Sequence, residues 1–295
     1  MSKPPRKGTK KRTGTPKAGA RTGSGRGAPA RGGAPARPRS GPSGTRHGLG
    51  GDQVEGRQAV RELLLAGRRN VREVWLLSEQ EPADVLDDIV ELAEAERVPV
   101  RRVGKGRFFT EARCEAPQGV LAKAAPLEPM LLDDLAEGRR GQAPPFLVAV
   151  DGVTDPGNLG ALLRSAECAG VSGIVLPRHR AVHVTPTVTK TAAGAVEHLS
   201  FALVGGLPTA LQDLSRAGLW VVGLDAGGSV GLWDLPAADG PIALVLGAEG
   251  SGLSRLARQR CDAVASIPLA GALGSLNVAA AAALACFEVA RARRR

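Results

Sequence analysis

The chain has 295 residues, of which 43% are hydrophobic, so it is long enough for one or two domains that each bury a core. The formal net charge of +10 is unevenly distributed. Of the 39 Lys and Arg residues, 13 lie in residues 1–50, which contain no Asp or Glu, so the remainder has 26 basic against 29 acidic residues. The basic pI therefore arises from residues 1–50, and it excludes no class of function for residues 51–295.

The cysteine spacing and the hydropathy pattern exclude several classes of protein. No pair of cysteines has the spacing of a metal site or a redox motif, and no secretory signal precedes them. The longest apolar run, residues 276–287, includes Asn277 and is too short to cross a bilayer. We therefore expect a cytoplasmic protein with free thiols, no metal and no membrane segment. The four cysteines are Cys114, Cys168, Cys261 and Cys286.

Residues 1–50 consist mainly of Gly, Pro, Ala, Ser, Lys and Arg, and Gly-Ala-Pro-Ala-Arg occurs at 27–31 and again at 33–37. Such a segment has little to bury, and we expect a disordered basic tail. Its charge would hold phosphates with salt-sensitive affinity that does not depend on sequence. A solubilising tail would have the same composition.

Residues 52–125 have the pattern of a small α/β domain. Helical spacing covers 58–66 and a helix begins at Pro82 and runs to Glu96, while strands are predicted at 71–77, 98–103 and 120–124. Residues 126–145 contain four prolines and an acidic patch, which predicts a linker.

From residue 146 to the C-terminus, continuous apolar strands alternate with helices. This alternation predicts a mostly parallel sheet covered on both faces, with ligands bound beyond the carboxyl ends of its strands. Helices are predicted at 159–169, 207–216 and 253–260. The strands are predicted at 146–150, 173–176, 199–204, 219–224, 242–246 and 264–267.

Three loops at such strand ends contain candidate functional residues. In the first, residues 151–166, an apolar stripe at i, i+3, i+4 and i+7 faces inward, and Arg164 falls outside it. Asn158 occupies a predicted N-cap position. Ordinary capping by Asn158 and a solvated Arg164 would also explain this pattern. The stripe consists of Leu159, Leu162, Leu163 and Ala166.

The second loop, residues 246–253, places Glu249 among three glycines, which let a ligand approach the backbone closely. A carboxylate in this position disfavours phosphate, and the P-loop pattern is absent from the sequence. The loop suits a ligand with hydroxyl groups, amino groups or positive charge.

The third loop, residues 267–278, leads into an alanine-rich helix. Ser275 is predicted to cap that helix, and capping alone would also explain Asn277.

Together, the three loops resemble the signature motifs of the SpoU (TrmH-like) branch of the SPOUT RNA 2′-O-methyltransferases, in order and in spacing over residues 146–295. Residues 52–125 resemble, more loosely, the substrate-binding domain of that family. The matching residues are Asn158, Gly160, Arg164 and Ala166, then Gly247, Glu249, Gly250 and Gly252, and finally Ser275, Leu276 and Asn277.

The resemblance implies an α/β sheet with a C-terminal trefoil knot, a homodimer, and S-adenosylmethionine bound in the knot. It assigns cofactor binding to Gly247, Ile267 and Leu276, and we add Leu224 to this pocket. The overall layout is most similar to enzymes that modify a guanosine of 23S ribosomal RNA. Enzymes of the same family that act on tRNA share the motifs.

The catalytic set implied by the resemblance is Arg164, Asn158, Glu249, Ser275 and Asn277. The sulfonium methyl is already activated, so the reaction requires alignment of donor and acceptor and assistance to loss of the hydroxyl proton, without a metal. A guanidinium is effectively always protonated, which favours phosphate anchoring and polarisation of the 2′-oxygen over a role as general base.

Three positions depart from the family pattern. Ala279 and Ala193 replace residues that often carry a hydroxyl or thiol, and these changes conserve size. Pro117 replaces a frequent His, and we expect it to alter substrate contacts.

Two other functions remain open at this point. A dinucleotide enzyme would need GxGxxG after its first strand, whereas the strand at 146–150 leads into Thr-Asp-Pro-Gly-Asn. A non-catalytic RNA-binding ribosome assembly factor could retain the motif residues, and cofactor binding would distinguish it.

Overall fold

The structure is a computed structural model that describes residues 48–138, 141, 143–179, 183–235 and 238–294. The prediction of a disordered tail falls almost entirely outside these residues. Two sheets organise the described chain, one of four strands and one of seven.

The small sheet has the strand order β1-β4-β2-β3, and only β2 and β3 pair in parallel. Helices α1 and α2 cover one face through an apolar cluster centred on Val60, Leu63 and Ile89, and Phe108 of α3 packs against Trp75 on the other face. The elements are β1 (Gln53–Glu55), α1 (Arg57–Ala66), β2 (Val71–Leu77), α2 (Asp84–Ala95), β3 (Val100–Val103), α3 (Lys105–Glu111) and β4 (Val120–Ala124).

The segment predicted as a linker contains a helix, α4 (Leu132–Glu137), that the sequence pattern did not reveal. Leu135 and Ala136 are buried against the large sheet, and the backbone N–H of Met130 donates to Phe201 O at 2.8 Å. This connection therefore packs onto the large sheet.

The large sheet has the order β7-β6-β5-β10-β8-β11-β9, and all its pairs are parallel. Helices lie on both faces, with α5, α6 and α9 on one and α4, α7 and α8 on the other, which confirms the predicted α/β class. The knot stays a prediction. The elements are β5 (Phe146–Asp151), α5 (Pro156–Cys168), β6 (Gly173–Pro177), α6 (Pro186–Thr191), β7 (Ser200–Val204), α7 (Leu207–Arg216), β8 (Trp220–Leu224), β9 (Val230–Gly231), β10 (Ile242–Gly247), α8 (Arg255–Arg258), β11 (Ala263–Ser266) and α9 (Val278–Ala292).

A buried ion pair joins the turn between α1 and β2 to the turn that precedes β7. Arg69 Nη1 lies 3.0 Å from Glu197 Oε1, and both side chains are fully buried. Burial raises the pKa of Glu197, and the Arg69 guanidinium opposes that shift. Arg68 adds a hydrogen bond from Nη1 to Leu199 O at 2.8 Å. Removing either charge would leave the other buried without its charge partner, which costs about 3–5 kcal/mol, so this pair contributes to the contact between the two parts of the chain.

Candidate active site

The glycine loop after β10 closes tightly on itself. Backbone hydrogen bonds join Ala248 and Gly252 in both directions at 2.9 and 3.0 Å. A Cβ atom on Gly247 would lie 2.2 Å from the carbonyl carbon of Gly252, and Gly250 has a φ of +80°. A side chain at either position would collide or adopt the left-handed conformation, so the loop requires glycine there. Glu249 is exposed within this turn.

Three side chains connect the three loops by hydrogen bonds. Asn277 Nδ2 donates to Asn158 Oδ1 at 2.8 Å, and Asn158 Nδ2 donates to Glu249 Oε2 at 3.0 Å. The Asn158 amide therefore accepts from one loop and donates to another. The structure thus brings together Asn158, Glu249 and Asn277, which the sequence assigned to one site.

The helix caps differ from those predicted. Asp155 is the N-cap of α5, since its Oδ2 accepts from the backbone N of Asn158 at 2.6 Å. The prediction that Asn158 caps this helix was wrong. Asn277 caps α9 by accepting from the backbone N of Ala279 at 2.9 Å, so the prediction for Ser275 was also wrong.

A cavity of about 290 Å³ opens beside this network, between the glycine loop and the loop before α9. Its wall includes all four residues predicted to bind the cofactor, together with Glu249 and Ser275. The residues predicted for cofactor binding are Leu224, Gly247, Ile267 and Leu276. Backbone groups of the glycine loop and apolar side chains form most of the wall.

Arg164 lies on α5 outside the buried stripe, as predicted. Its side chain is exposed and forms no hydrogen bond or ion pair with any residue that the structure describes. Leu159, Leu162 and Leu163 of the stripe are fully buried. The structure therefore leaves the Arg164 guanidinium available to a ligand and does not join it to the Asn158 network.

Asp225, which the sequence analysis missed, also lines the cavity. Its Oδ1 accepts from the backbone N of Gly227 at 2.9 Å and pairs with Arg258 Nη1 at 2.8 Å. Burial opposes ionisation, but these partners outweigh it and hold the pKa of Asp225 below its usual value. An acidic residue directly after a buried strand was the available signal.

Within the described ranges, no group of three or more His, Cys, Asp and Glu residues could hold a metal ion. The helices described include none that is long and apolar enough to cross a membrane.

The geometry defines a cavity at the carboxyl end of a parallel sheet, and comparison with known proteins identifies the class of protein. The sequence model of the SpoU rRNA Methylase family matches residues 145–287, and that of the RNA 2′-O ribose methyltransferase substrate binding family matches residues 53–130. The chain belongs to the SpoU methyltransferase family.

Particular relatives narrow the comparison. The chain is 40% identical to the 23S rRNA (guanosine-2′-O-)-methyltransferase RlmB of Ralstonia nicotianae, over 81% of this chain and 94% of that protein. Identity to the enzyme of the same name from Pseudomonas putida is 37%, over 82% of this chain and 97% of that enzyme. Among solved structures, the chain is similar to the crystal structure of the SpoU methyltransferase AviRb from Streptomyces viridochromogenes in complex with the cofactor AdoMet. The TM-score is 0.68 and the sequence identity is 26%, over 82% of this chain and 90% of that chain.

Proposed function

We propose that this protein transfers the methyl group of S-adenosylmethionine to the ribose 2′-hydroxyl of a guanosine in 23S ribosomal RNA. The observation that carries the proposal is the hydrogen-bonded set Asn277–Asn158–Glu249, which joins three distant loops beside one cavity. The high coverage of two enzymes named for this reaction supports the choice of nucleotide and RNA.

The cavity fits the cofactor. Its volume is close to the lower end of about 300 Å³ for small-molecule sites. Leu224, Ile267 and Leu276 offer apolar surface for an adenine ring. Gly247 has no side chain, and the loop backbone packs where its Cβ would lie, so Gly247 presents only backbone to the cavity. When bound there, S-adenosylmethionine supplies a methyl group that is already activated as a sulfonium.

The protein side chains then align the acceptor. Asn158 holds Glu249 through Oε2, which leaves Oε1 to accept a hydrogen bond from the ribose. Arg164 binds the adjacent phosphate and polarises the 2′-oxygen, because a guanidinium offers donors without losing a proton. The hydroxyl proton leaves to the surrounding water as the oxygen accepts the methyl group. Ser275 and Asn277 complete the pocket from the third loop. The 2′-hydroxyl restricts the reaction to RNA.

We assign the two sheets different tasks. Residues 52–125 bind RNA, residues 126–145 connect the two domains, and residues 146–295 perform the methyl transfer. We place the reaction in the cytoplasm, where ribosomal RNA is made and modified in bacteria. Residues 1–50 add loose phosphate contact.

We also propose that the protein is a homodimer. Leu284 and Phe287 lie on one side of α9, and 40% and 50% of their surfaces are exposed. Exposed apolar surface of this kind is typical of a protein interface. Sedimentation analysis is expected to give twice the chain mass, and a monomer at micromolar concentration would contradict the proposal.

The test of function is methyl transfer from radiolabelled S-adenosylmethionine to 23S rRNA and tRNA transcripts, with the product mapped by mass spectrometry. The expected product is one 2′-O-methylguanosine in 23S rRNA. Transfer to tRNA alone would favour the tRNA-modifying alternative. RNA binding without cofactor binding in calorimetry would favour the assembly-factor alternative.

A further inference from the structure

A second cavity lies far from the glycine loop in the chain, at the end of the small sheet where β2 ends and β4 begins. It has a volume of about 350 Å³ and is lined by Arg57, Leu77, Gln80, Gln118 and Gly119. We propose that this cavity binds an unpaired base of the RNA, at a nucleotide other than the one that is methylated. The proposal rests on the proposed function, because it takes RNA as the substrate.

Gln80 supplies the first argument. Both polar atoms of its side chain are buried and have no hydrogen-bond partner among the described residues. The amide packs against the backbone of Gly119, where an added Cβ would lie 2.2 Å from Gln80 Oε1. Proteins rarely leave a buried amide without partners. An amide presents a donor and an acceptor side by side, which matches the edge of a base.

Arg57 and Gln118 form another part of the wall. The backbone N of Arg57 donates to Gln118 Oε1 at 3.1 Å, and Arg57 Nε donates to Gln118 O at 3.1 Å. These bonds hold Gln118 in a left-handed conformation with a φ of 57°. Neither Nη atom of Arg57 nor Nε2 of Gln118 has a hydrogen-bond partner in the described chain, so both side chains keep donors for a ligand. Leu77 adds apolar surface for the face of a base.

Cations lie on the neighbouring strand and helix. Val103 pairs with Leu77 in the sheet, and the exposed Arg102 and Lys105 lie one residue before and two residues after Val103. These cations suit the phosphates on either side of an inserted base. Recognition of RNA commonly uses bases that are turned out of a loop or bulge, which is the ligand that this arrangement fits.

The test replaces Gln80 with Met, which keeps the length of the side chain and removes its amide. Since the amide has no partner within the protein, Gln80→Met is expected to leave the midpoint of thermal unfolding unchanged or raised. We expect the Kd for a full-length 23S rRNA transcript, measured by filter binding at fixed salt, to rise roughly tenfold. The KM for S-adenosylmethionine should not change.

Gln259→Met is the matched control, because Gln259 is exposed at the end of α8 and its side chain has no hydrogen bond with the described residues. Its Kd for RNA should equal that of the unaltered protein. If Gln80→Met binds RNA as tightly as the control does, the proposal is wrong.

Chemical probing of the bound RNA identifies the base. We expect one nucleotide, distinct from the methylated guanosine, to be protected by the unaltered protein and exposed with Gln80→Met. Loss of affinity without such a nucleotide would mean that the cavity binds no base and would overturn the proposal. The proposed function is scored separately, by methyl transfer from the unaltered protein, so the two can fail independently.

Discussion

Asn158 owes its position in the site to a neighbour that caps the helix in its place. The sequence Asp155-Pro-Gly-Asn offers two good capping residues. Proline is common at the first helical position, so Pro156 indicates that the residue before it is the N-cap. With Asp155 as the cap, the Asn158 side chain is free to bind Glu249 and Asn277. The capping prediction was wrong because it gave no weight to proline at that position.

We expect Asn158→Asp to lower kcat for methyl transfer about a hundredfold, because the carboxylate cannot donate to Glu249 and would repel it. The backbone N–H that binds Asp155 is retained, so thermal unfolding should change little. Asn70→Asp makes the same chemical change at an exposed position and serves as the control. Normal turnover by Asn158→Asp would remove this residue from the proposed machinery.

Arg164→Ala is expected to reduce methyl transfer about a hundredfold or more, since it removes the guanidinium that would anchor phosphate and polarise the 2′-oxygen. Calorimetry should show nearly unchanged binding of S-adenosylmethionine, because Arg164 does not line the cofactor cavity. Arg164→Lys should also fail, since an ammonium lacks the planar fork. Arg260→Ala, at an exposed position, controls for loss of one positive charge. Near-normal turnover by Arg164→Ala would refute its assignment.

Helices α5 and α6 pack closely because position 160 has no side chain. A Cβ on Gly160 would lie 2.5 Å from Thr191 Cβ and 3.0 Å from the Val188 carbonyl oxygen. Gly160→Ala is therefore expected to lower the free energy of unfolding by about 1–3 kcal/mol. Gly106→Ala, in α3, meets nothing within 4 Å and should raise stability by about 0.5–1 kcal/mol. Denaturant titration measures both, and equal stabilities would contradict the packing argument.

The long elements could be predicted from sequence, and several short ones could not. Strands such as β5 and β10 have continuous apolar runs that only a covered sheet explains. Strand β1 was missed because Gln53 and Glu55 are buried polar residues, which hides the alternation. The Glu55 carboxylate accepts a hydrogen bond from the backbone N of Arg113, 58 residues away, and no local sequence pattern could predict that contact.

The site shows the same division between local and distant information. The glycine loop is a local pattern, and the resemblance of the local motifs to a known family implied three of the four cofactor-binding residues, which all line one cavity. The bond between Asn158 and Asn277 joins residues 119 positions apart, and the position of Asp225 depends on Arg258. These relations arise only when the sheet assembles.

At the scale of the whole molecule, the charge is separated along the chain. Residues 1–46 contain 13 basic and no acidic residues, while the rest has a slight acidic excess. A protein whose folded part is nearly neutral attracts RNA weakly at long range, so the N-terminal segment would supply most of that attraction. Recognition of a particular nucleotide needs shaped contacts, which we expect residues 52–125 and the pocket around Arg164 to supply.

Deletion of residues 1–46 is therefore expected to weaken RNA binding and to reduce its salt dependence, without changing the methylated position. The slope of log K against log salt is negative, and each lost phosphate contact should reduce its magnitude by roughly 0.7 to 0.9, because fewer counterions are released. Thermal unfolding should be unaffected, since the segment has almost no apolar side chains that could contribute to a core. The measurement is RNA binding at several salt concentrations, with the modified nucleotide mapped for both proteins. An unchanged slope would show that the segment makes no phosphate contacts. A shifted methylation site would show that it helps to select the nucleotide.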